Sequence, residues 1–309
     1  MFRVVVFLVL LATGGVSWAQ LSAPVARPER PIPAVEHVVI VSIDGLRPDC
    51  ALRAEMPVLR GMLREGTFTF WAKTTAVAIT LPSHVSMVTG VTPQKHGIHW
   101  NEELPLSAAY YPKVPTVMEL AARVGYRTAL VAGKRKFSTL DKPGTLTDAF
   151  LPPGEKGDNA MVAAAAVKII EAHQPAVMFI HFPDVDTVGH DKGWGSPEQI
   201  AAIEKTDGQL GEVLAALQRA GLRDSTVIIV STDHGGAGLT HGADDERSRR
   251  IPWIITGPGV RKNFDLARIS TLEVRTEDTA ATACWLLGLR LLPNLDGRPV
   301  LAAFAAPQG

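Results

Sequence analysis

The sequence predicts an α/β fold, a largely parallel central sheet with helices on both faces. Three observations lead there. The apolar runs Val38–Ile43, Ala176–Phe182 and Thr226–Val230 lack the alternation of half-exposed strands, as expected where both faces of a sheet are covered. Helical patterns separate these runs. No internal repeat and no second compositional regime interrupts the alternation, which predicts a single domain over residues 36–305.

The chain begins with a segment that does not belong to this alternation. Met1, Phe2 and Arg3 give a short positive start, Val4 to Val16 is almost wholly apolar, and Ser17-Trp18-Ala19 reads as a small-x-small cleavage signal. Residues 1–19 are therefore expected to be a secretory signal peptide cut after Ala19, since the apolar run is short for a span of about 20 residues. The expected location is periplasmic or secreted, with no membrane span in the mature chain. Residues 20–35 are Pro-rich and aperiodic, and read as an N-terminal arm. Within the domain, Val38–Ile43 is the first strand, and Met56–Arg64 is a helix stopped by Gly66. Thr116–Val124 reads as the helix before the strand Arg127–Ala132. Asp158–His173 is a long Ala-rich helix closed by Pro175, before the strand Ala176–Phe182. Ser196 and Pro197 open a helix running to about Ala220, as a cap followed by a first-turn proline should. Thr226–Val230 and Ile251–Thr256 are the remaining strands, and Thr276–Leu287 the last helix.

Bulk properties exclude some functions. The 46% hydrophobic content is ordinary for a globular protein, and a formal net charge of zero gives no reason to expect a nucleic-acid polymer or anionic lipid as partner. The two cysteines, Cys50 and Cys284, do not suit a cysteine metal site; either a disulfide or two separate buried thiols is compatible with an oxidising compartment.

In an open α/β sheet, ligands bind beyond the carboxyl ends of the strands. Asp44 follows the first strand, Asp184, Asp186 and His190 follow Ala176–Phe182, and Asp233, His234 and His241 follow Thr226–Val230. One such Asp is an ordinary turn former. Three strand ends loaded with Asp and His repel one another unless a cation lies among them, and this ligand mix suits hard or borderline metals. Thr80 precedes Pro82 at an expected helix start, where free N–H groups favour an anion. It could serve as a simple cap, but beside metal ligands its hydroxyl can be activated as a nucleophile.

Ser42-Ile43-Asp44-Gly45, the Thr-x-Pro-x-His block at 80–84, Val88-Thr89-Gly90, His96-Gly97-Ile98, Asp186-x-x-x-His190, Asp233-His234-Gly235 and His241-Gly242 occur in an order that resembles the alkaline phosphatase superfamily. The set most resembles its type I phosphodiesterase/nucleotide pyrophosphatase branch and is also similar to phosphonoacetate hydrolases. The resemblance implies an alkaline phosphatase-like fold and two divalent ions, with zinc favoured. One would be held by Asp44, Thr80, Asp233 and His234, the other by Asp186, His190 and His241. It further implies Thr80 as nucleophile through a phospho-threonine intermediate, and Asn101 as a donor to a phosphoryl oxygen. His84, His96 and His181 are expected to be structural, and Asp184 to support Asp186. Lys134 and Lys136 resemble a phosphate-clamping pair; an extended backbone would turn both toward the site and Arg135 away. Such cations favour dianions, so monoester and diester chemistry both remain open, with a small phosphorylated molecule as the expected substrate. Phosphonate or sulfate-ester hydrolysis on the same scaffold is the alternative, although Thr80 does not suit the formylglycine of sulfatases. A binding protein with lost chemistry is disfavoured because all seven ligand positions carry Asp, His or Thr.

Overall fold

The computed structural model describes residues 28–103, 110–242 and 244–305. The expected signal peptide and the first part of the arm lie outside these residues. Ten helices, eight strands and several single 3₁₀ turns alternate along the described chain. In order they are β1 (His37–Ile43), α1 (Pro48–Arg53), α2 (Pro57–Glu65), β2 (Thr67–Lys73), α3 (Thr80–Thr89), α4 (Pro93–His96), α5 (Val117–Arg123), β3 (Thr128–Ala132), β4 (Asp148–Phe150), α6 (Asn159–His173), β5 (Val177–Phe182), α7 (Asp184–Lys192), α8 (Pro197–Arg219), β6 (Thr226–Ser231), α9 (Glu246–Arg249), β7 (Arg250–Thr256), β8 (Phe264–Asp265) and α10 (Asp278–Leu286).

The strands form one sheet in the order β4-β3-β5-β1-β6-β7-β2-β8. β1 lies at its centre, parallel to β5 and β6, and β3 is parallel to both β5 and β4. β7 runs antiparallel to β6 and to β2, so the sheet is largely but not wholly parallel. Every residue of β1, β3, β5 and β6 is buried, which is why these segments read as continuous apolar runs. Their side chains still alternate between two cores. Val38 and Ile40 pack with Leu81, Val85, Met118 and Leu286 on one face, while Val39, Val41 and Ile43 pack with Leu59, Val162, Ile203 and Leu210 on the other. Helices thus cover both faces, and each core needs the period of two built into the strands.

Local signals explain the helix starts. Thr116, Asp158 and Ser196 each accept a hydrogen bond from a backbone N–H of the first turn they cap. α2 begins at Met56-Pro57 without a side-chain cap, and Asp207 of α8 supplies one instead, taking Val58 N–H at 2.8 Å and Leu59 N–H at 2.9 Å. The described part of the arm is packed rather than free: Val35 is buried, and Ile32 lies against the core. Cys50 and Cys284 are both free, buried and in the two different cores, on opposite sides of the sheet. That arrangement settles the cysteine question in favour of separate thiols.

Candidate metal centre and nucleophile

The carboxyl ends of β1, β3, β5 and β6 meet along one edge of the sheet, and the chemistry-bearing residues lie there. Asp44 leaves β1 in a tight turn at Gly45, whose φ is +76°; a Cβ there would lie 3.0 Å from the Asp186 backbone. Only glycine allows the β1 turn to sit this close to α7. Asp186 lies in the first turn of α7. Asp233 and His234 follow β6, and Gly235 lets that loop pass the Arg247 carbonyl, which a Cβ would meet at 2.1 Å. Thr80 is the first residue of α3, a helix buried throughout its length.

The imidazoles have a defined tautomer. His190, His234 and His241 each place Nδ1 against a backbone carbonyl, of Leu239, Gly235 and Ala78, at 2.9, 2.8 and 2.8 Å. A carbonyl only accepts, so Nδ1 carries the proton and a neutral ring turns its lone pair out through Nε2. Burial and the neighbouring His241 push His234 down to about 4, and burial lowers His241, so neutral rings are favoured at neutral pH.

Those three lone pairs face carboxylate oxygens. His234 Nε2 lies 3.1 Å from Asp233 Oδ2 and 3.3 Å from Asp44 Oδ1, with Thr80 Oγ1 at 3.5 Å. Asp186 Oδ1 lies 3.4 Å from His190 Nε2 and 3.6 Å from His241 Nε2. Asp44 Oδ1, Asp186 Oδ1 and Asp233 Oδ2 are buried and accept no hydrogen bond. Lone pairs so arranged repel, and they make sense as ligand atoms. With bonds of about 2.0–2.1 Å, tetrahedral ligands stand roughly 3.3 Å apart, close to these separations. The donor set therefore fits divalent ions of the zinc type. Asp186, His190 and His241 form one group with mutually close ligand atoms, and Asp44, Asp186 and His234 another. Asp186 reaches both, and its Oδ1 is 3.9 Å from His234 Nε2.

The carboxylates titrate far apart. Burial tends to raise Asp44, yet the Lys134 ammonium, a hydrogen bond from His181 and the nearby His234 hold it well below its usual range. Burial, with the charges of Asp44 and Asp186, drives Asp233 well above it. Three carboxylates this close are not all ionised without more positive charge.

The other sequence-predicted residues are placed as follows. Asn101 Oδ1 accepts from Leu81 N–H at 2.8 Å and from Lys136 Nζ at 3.0 Å. Both partners are donors, which fixes the amide orientation and leaves its Nδ2 as the donating end. Lys134 Nζ donates to Asp44 Oδ2 and Asp186 Oδ2, both at 2.6 Å. The segment is not extended as expected, because Arg135–Leu140 winds into a 3₁₀ turn. Lys136 nevertheless points inward and Arg135 outward to Glu103. Asp184 turns to α6 rather than to the candidate metal ligands and caps that helix through Asn159 N–H.

His84 links Ser42 Oγ to the Thr80 carbonyl, and His96 holds Ser86 Oγ. His181 has the opposite tautomer to His190, His234 and His241: Nδ1 accepts from Gly133 N–H, so Nε2 donates to Asp44 Oδ2 at 2.9 Å. Trp194 escaped the sequence reading. Its indole donates to the Gly45 carbonyl and its ring packs edge-on against His190 and His241, wedging both imidazoles in place. The one available signal was a tryptophan between two glycines soon after His190. A cavity of about 600 Å³ opens beside the site, lined by Asn101, Lys134, Lys136, Asp186 and His190 and by charged residues further out.

Comparisons with known proteins agree with this architecture. The profile of the type I phosphodiesterase/nucleotide pyrophosphatase family matches residues 38–104 and 115–248. An uncharacterized pyrophosphatase/phosphodiesterase of Schizosaccharomyces pombe is 26% identical over 220 residues, 65% of this chain and 44% of its own. The human ectonucleotide pyrophosphatase/phosphodiesterase family member 1 is 22% identical over 219 residues, 64% of this chain and 23% of its own. The chain thus spans less than half the length of these curated relatives. Zebrafish (Danio rerio) arylsulfatase K is 33% identical, but over only 106 residues, 33% of this chain and 20% of its own. Among solved structures, murine ectonucleotide pyrophosphatase/phosphodiesterase 5, as an inactive threonine-to-alanine variant with AMP, superposes with a TM-score of 0.71 at 17% identity, covering 87% of this chain and all of its own. A 2-O glycosaminoglycan sulfatase gives 0.71 at 15% identity over 90% of this chain and 74% of its own. These two likenesses establish the shared fold. Because the profile covers well over half of the chain and runs through every strand end that builds the site, this protein belongs to the type I phosphodiesterase/nucleotide pyrophosphatase family.

Proposed function

We propose that the protein is an exported, metal-dependent phosphoric ester hydrolase acting on a small phosphorylated substrate through Thr80. One observation carries the reading: three imidazole lone pairs and three carboxylate oxygens without donors converge beside the Thr80 hydroxyl. Export rests on the N-terminal Arg3, apolar and Ser17-Trp18-Ala19 pattern.

Zinc ions held by Asp44, Thr80, Asp233 and His234, and by Asp186, His190 and His241, would activate the hydroxyl and neutralise charge on the attacking and leaving oxygens. Thr80 Oγ1 attacks phosphorus, the bond to the leaving oxygen breaks, and a phospho-threonine forms. The leaving alcohol departs with a proton, and water then cleaves the threonine ester, giving phosphate from a monoester or a phosphomonoester from a diester and returning the proton to Thr80. The N-terminus of α3 turns its positive dipole end to the phosphoryl group, although Leu81 N–H is already taken by Asn101 and Ser83 N–H by the Ile79 carbonyl. Asn101 donates from Nδ2 to a non-bridging oxygen. Lys136 spends two hydrogens on the Asn101 carbonyl and side chain, at 2.9 and 3.0 Å, and keeps its third for the substrate. His181 and Trp194 hold the ligands in place.

The murine relative made inactive by a threonine-to-alanine change supports a threonine-centred reaction in this fold. The test is the rate of metal-stripped and zinc-reloaded protein on p-nitrophenyl phosphate and bis(p-nitrophenyl) phosphate, with Thr80→Ala as blank. Zinc-restored turnover of either ester, abolished in a folded Thr80→Ala, is the expected result. Near-wild-type turnover by Thr80→Ala would end the covalent route.

A further inference from the structure

We propose that Lys134 is a built-in cation of the metal centre, a positioning residue that bridges Asp44 and Asp186 and turns one oxygen of each toward the imidazoles. The inference rests on the metal-centre reading above and gives Lys134 a different part from Lys136.

The carboxylate oxygens divide by role. Oδ2 of Asp44 and Oδ2 of Asp186 both take Lys134 Nζ at 2.6 Å, and the Asp44 atom also takes His181 Nε2. The Oδ1 atoms have no donor and face Nε2 of His234 and of His190 and His241, at 3.3 to 3.6 Å. Each carboxylate can thus give Oδ1 to an ion without releasing the lysine. Each lysine has two of its three ammonium hydrogens committed, but the partners differ: Lys134 is neutralised by two carboxylates, whereas Lys136 is held by two neutral Asn101 oxygens and keeps its charge for a substrate.

The backbone holds the ammonium where it is. Lys134 is buried and pairs across an isolated bridge with Lys156, and Gly157 N–H donates to the Gly133 carbonyl at 2.9 Å. A Cβ at Gly133 would meet the Pro183 ring at 2.4 Å, so the turn before Lys134 is pressed against the loop that leads into Asp186. The same contact sets the distance between the lysine and one of its carboxylates. Groups that orient metal ligands in this way typically change metal affinity by about 10–100-fold when removed.

The experiment is a zinc titration of metal-stripped protein against a chromophoric chelator, for wild type, Lys134→Met and Lys136→Met, with no substrate present. Lys134→Met should bind zinc roughly 10–100-fold more weakly. Lys136→Met should stay within about twofold of wild type, since among the described residues its ammonium bonds to Asn101 and to no carboxylate. Lys134→Arg, which keeps the charge, should recover part of the loss. Unchanged or tighter zinc binding by Lys134→Met would overturn the inference, because the ammonium would then be a spectator or a competitor. Should Lys134→Met not fold, the zinc-loaded wild-type crystal structure decides: Nζ within hydrogen-bonding distance of both Oδ2 atoms supports the bridge, and Nζ swung into the cavity refutes it. Wild type that binds no zinc would sink the metal centre itself, an outcome distinct from either of these.

Discussion

Lys136 offers the sharpest route to the ester class. Its Nζ is held by the Asn101 carbonyl and side chain at 2.9 and 3.0 Å, beside Thr80's helix, with one hydrogen to spare. Replacing it with Met keeps the stem and removes the charge. A hydrogen bond to a charged group contributes about 1.5–3 kcal/mol. The attraction scales with substrate charge, so a dianionic monoester should lose about 3 kcal/mol where a monoanionic diester loses about 1.5. In kcat/KM these are losses of roughly 100-fold and 10-fold.

The pH profile supplies an independent check. Burial, and then the Lys134 charge, lower Lys136 from its ordinary value to about 8. The useful form is protonated, so its contribution is complete below that pH and lost above it. In the metal-loaded enzyme monoester kcat/KM should fall along a limb that lies below about 8, and the limb should vanish in Lys136→Met. Bound divalent ions add positive charge and move the limb to lower pH. Stability has the opposite slope: the unfolded chain binds more protons between about 8 and 10.5, so the Lys136 contribution to folding improves with pH across that window. Initial rates on both nitrophenyl esters from pH 6 to 10, for wild type and Lys136→Met, test both statements. Equal losses on the two esters, or a limb that survives in Lys136→Met, would refute the reasoning.

Two further outcomes follow from the same contacts. Asp207→Ala removes the side-chain cap that α2 has among the described residues and strands two N–H groups, which should cost about 2–3 kcal/mol and lower Tm by roughly 3–5 °C in calorimetry; a shift below 1 °C would mean that the cap is dispensable. Chelation should lower Tm at neutral pH, with zinc restoring it. In the stripped protein the Asp233 carboxyl is raised by burial and by Asp44 and Asp186, so its contribution is full below its ordinary value of 3.8 and lost as pH rises through the higher folded value. The gap between loaded and stripped Tm should therefore widen from acid toward neutral pH, and a gap independent of pH would contradict that picture.

Much of the fold is legible in the sequence because the parallel strands are buried on both faces. β1, β3, β5 and β6 need no partner to be recognised, since a run such as Val38–Ile43 has few other ways to be satisfied. β2 is less visible. Its Thr-Phe-Thr-Phe alternation is broken by a register shift between Thr69 and Ala72, and its partner β7 is antiparallel, so neither the pattern nor the connection announces it. β4 and β8 are three and two residues long and exist only through pairing. α7 has no apolar stripe to give it away; its sequence, Asp-Val-Asp-Thr-Val-Gly-His-Asp-Lys, is spent on function.

The site divides in the same way. Asp44, Asp186 and Asp233 can be found because a parallel sheet brings the ends of its strands together, so residues far apart in sequence share an edge by topology alone. Proximity is readable, whereas the role of each atom is not. Nothing in Gly133-Lys134-Arg135-Lys136 distinguishes the lysine that bridges two carboxylates from the one that holds an amide, because the difference arises from a 3₁₀ turn and from the Pro183 ring against Gly133. Nor does the sequence reveal that three imidazoles turn Nε2 toward the centre while His181 turns a proton to Asp44. That depends on which backbone carbonyl happens to lie behind each ring. Tautomer and ligand oxygen are set by these neighbours, and they decide whether clustered Asp and His residues form an ordinary buried network or a seat for two cations.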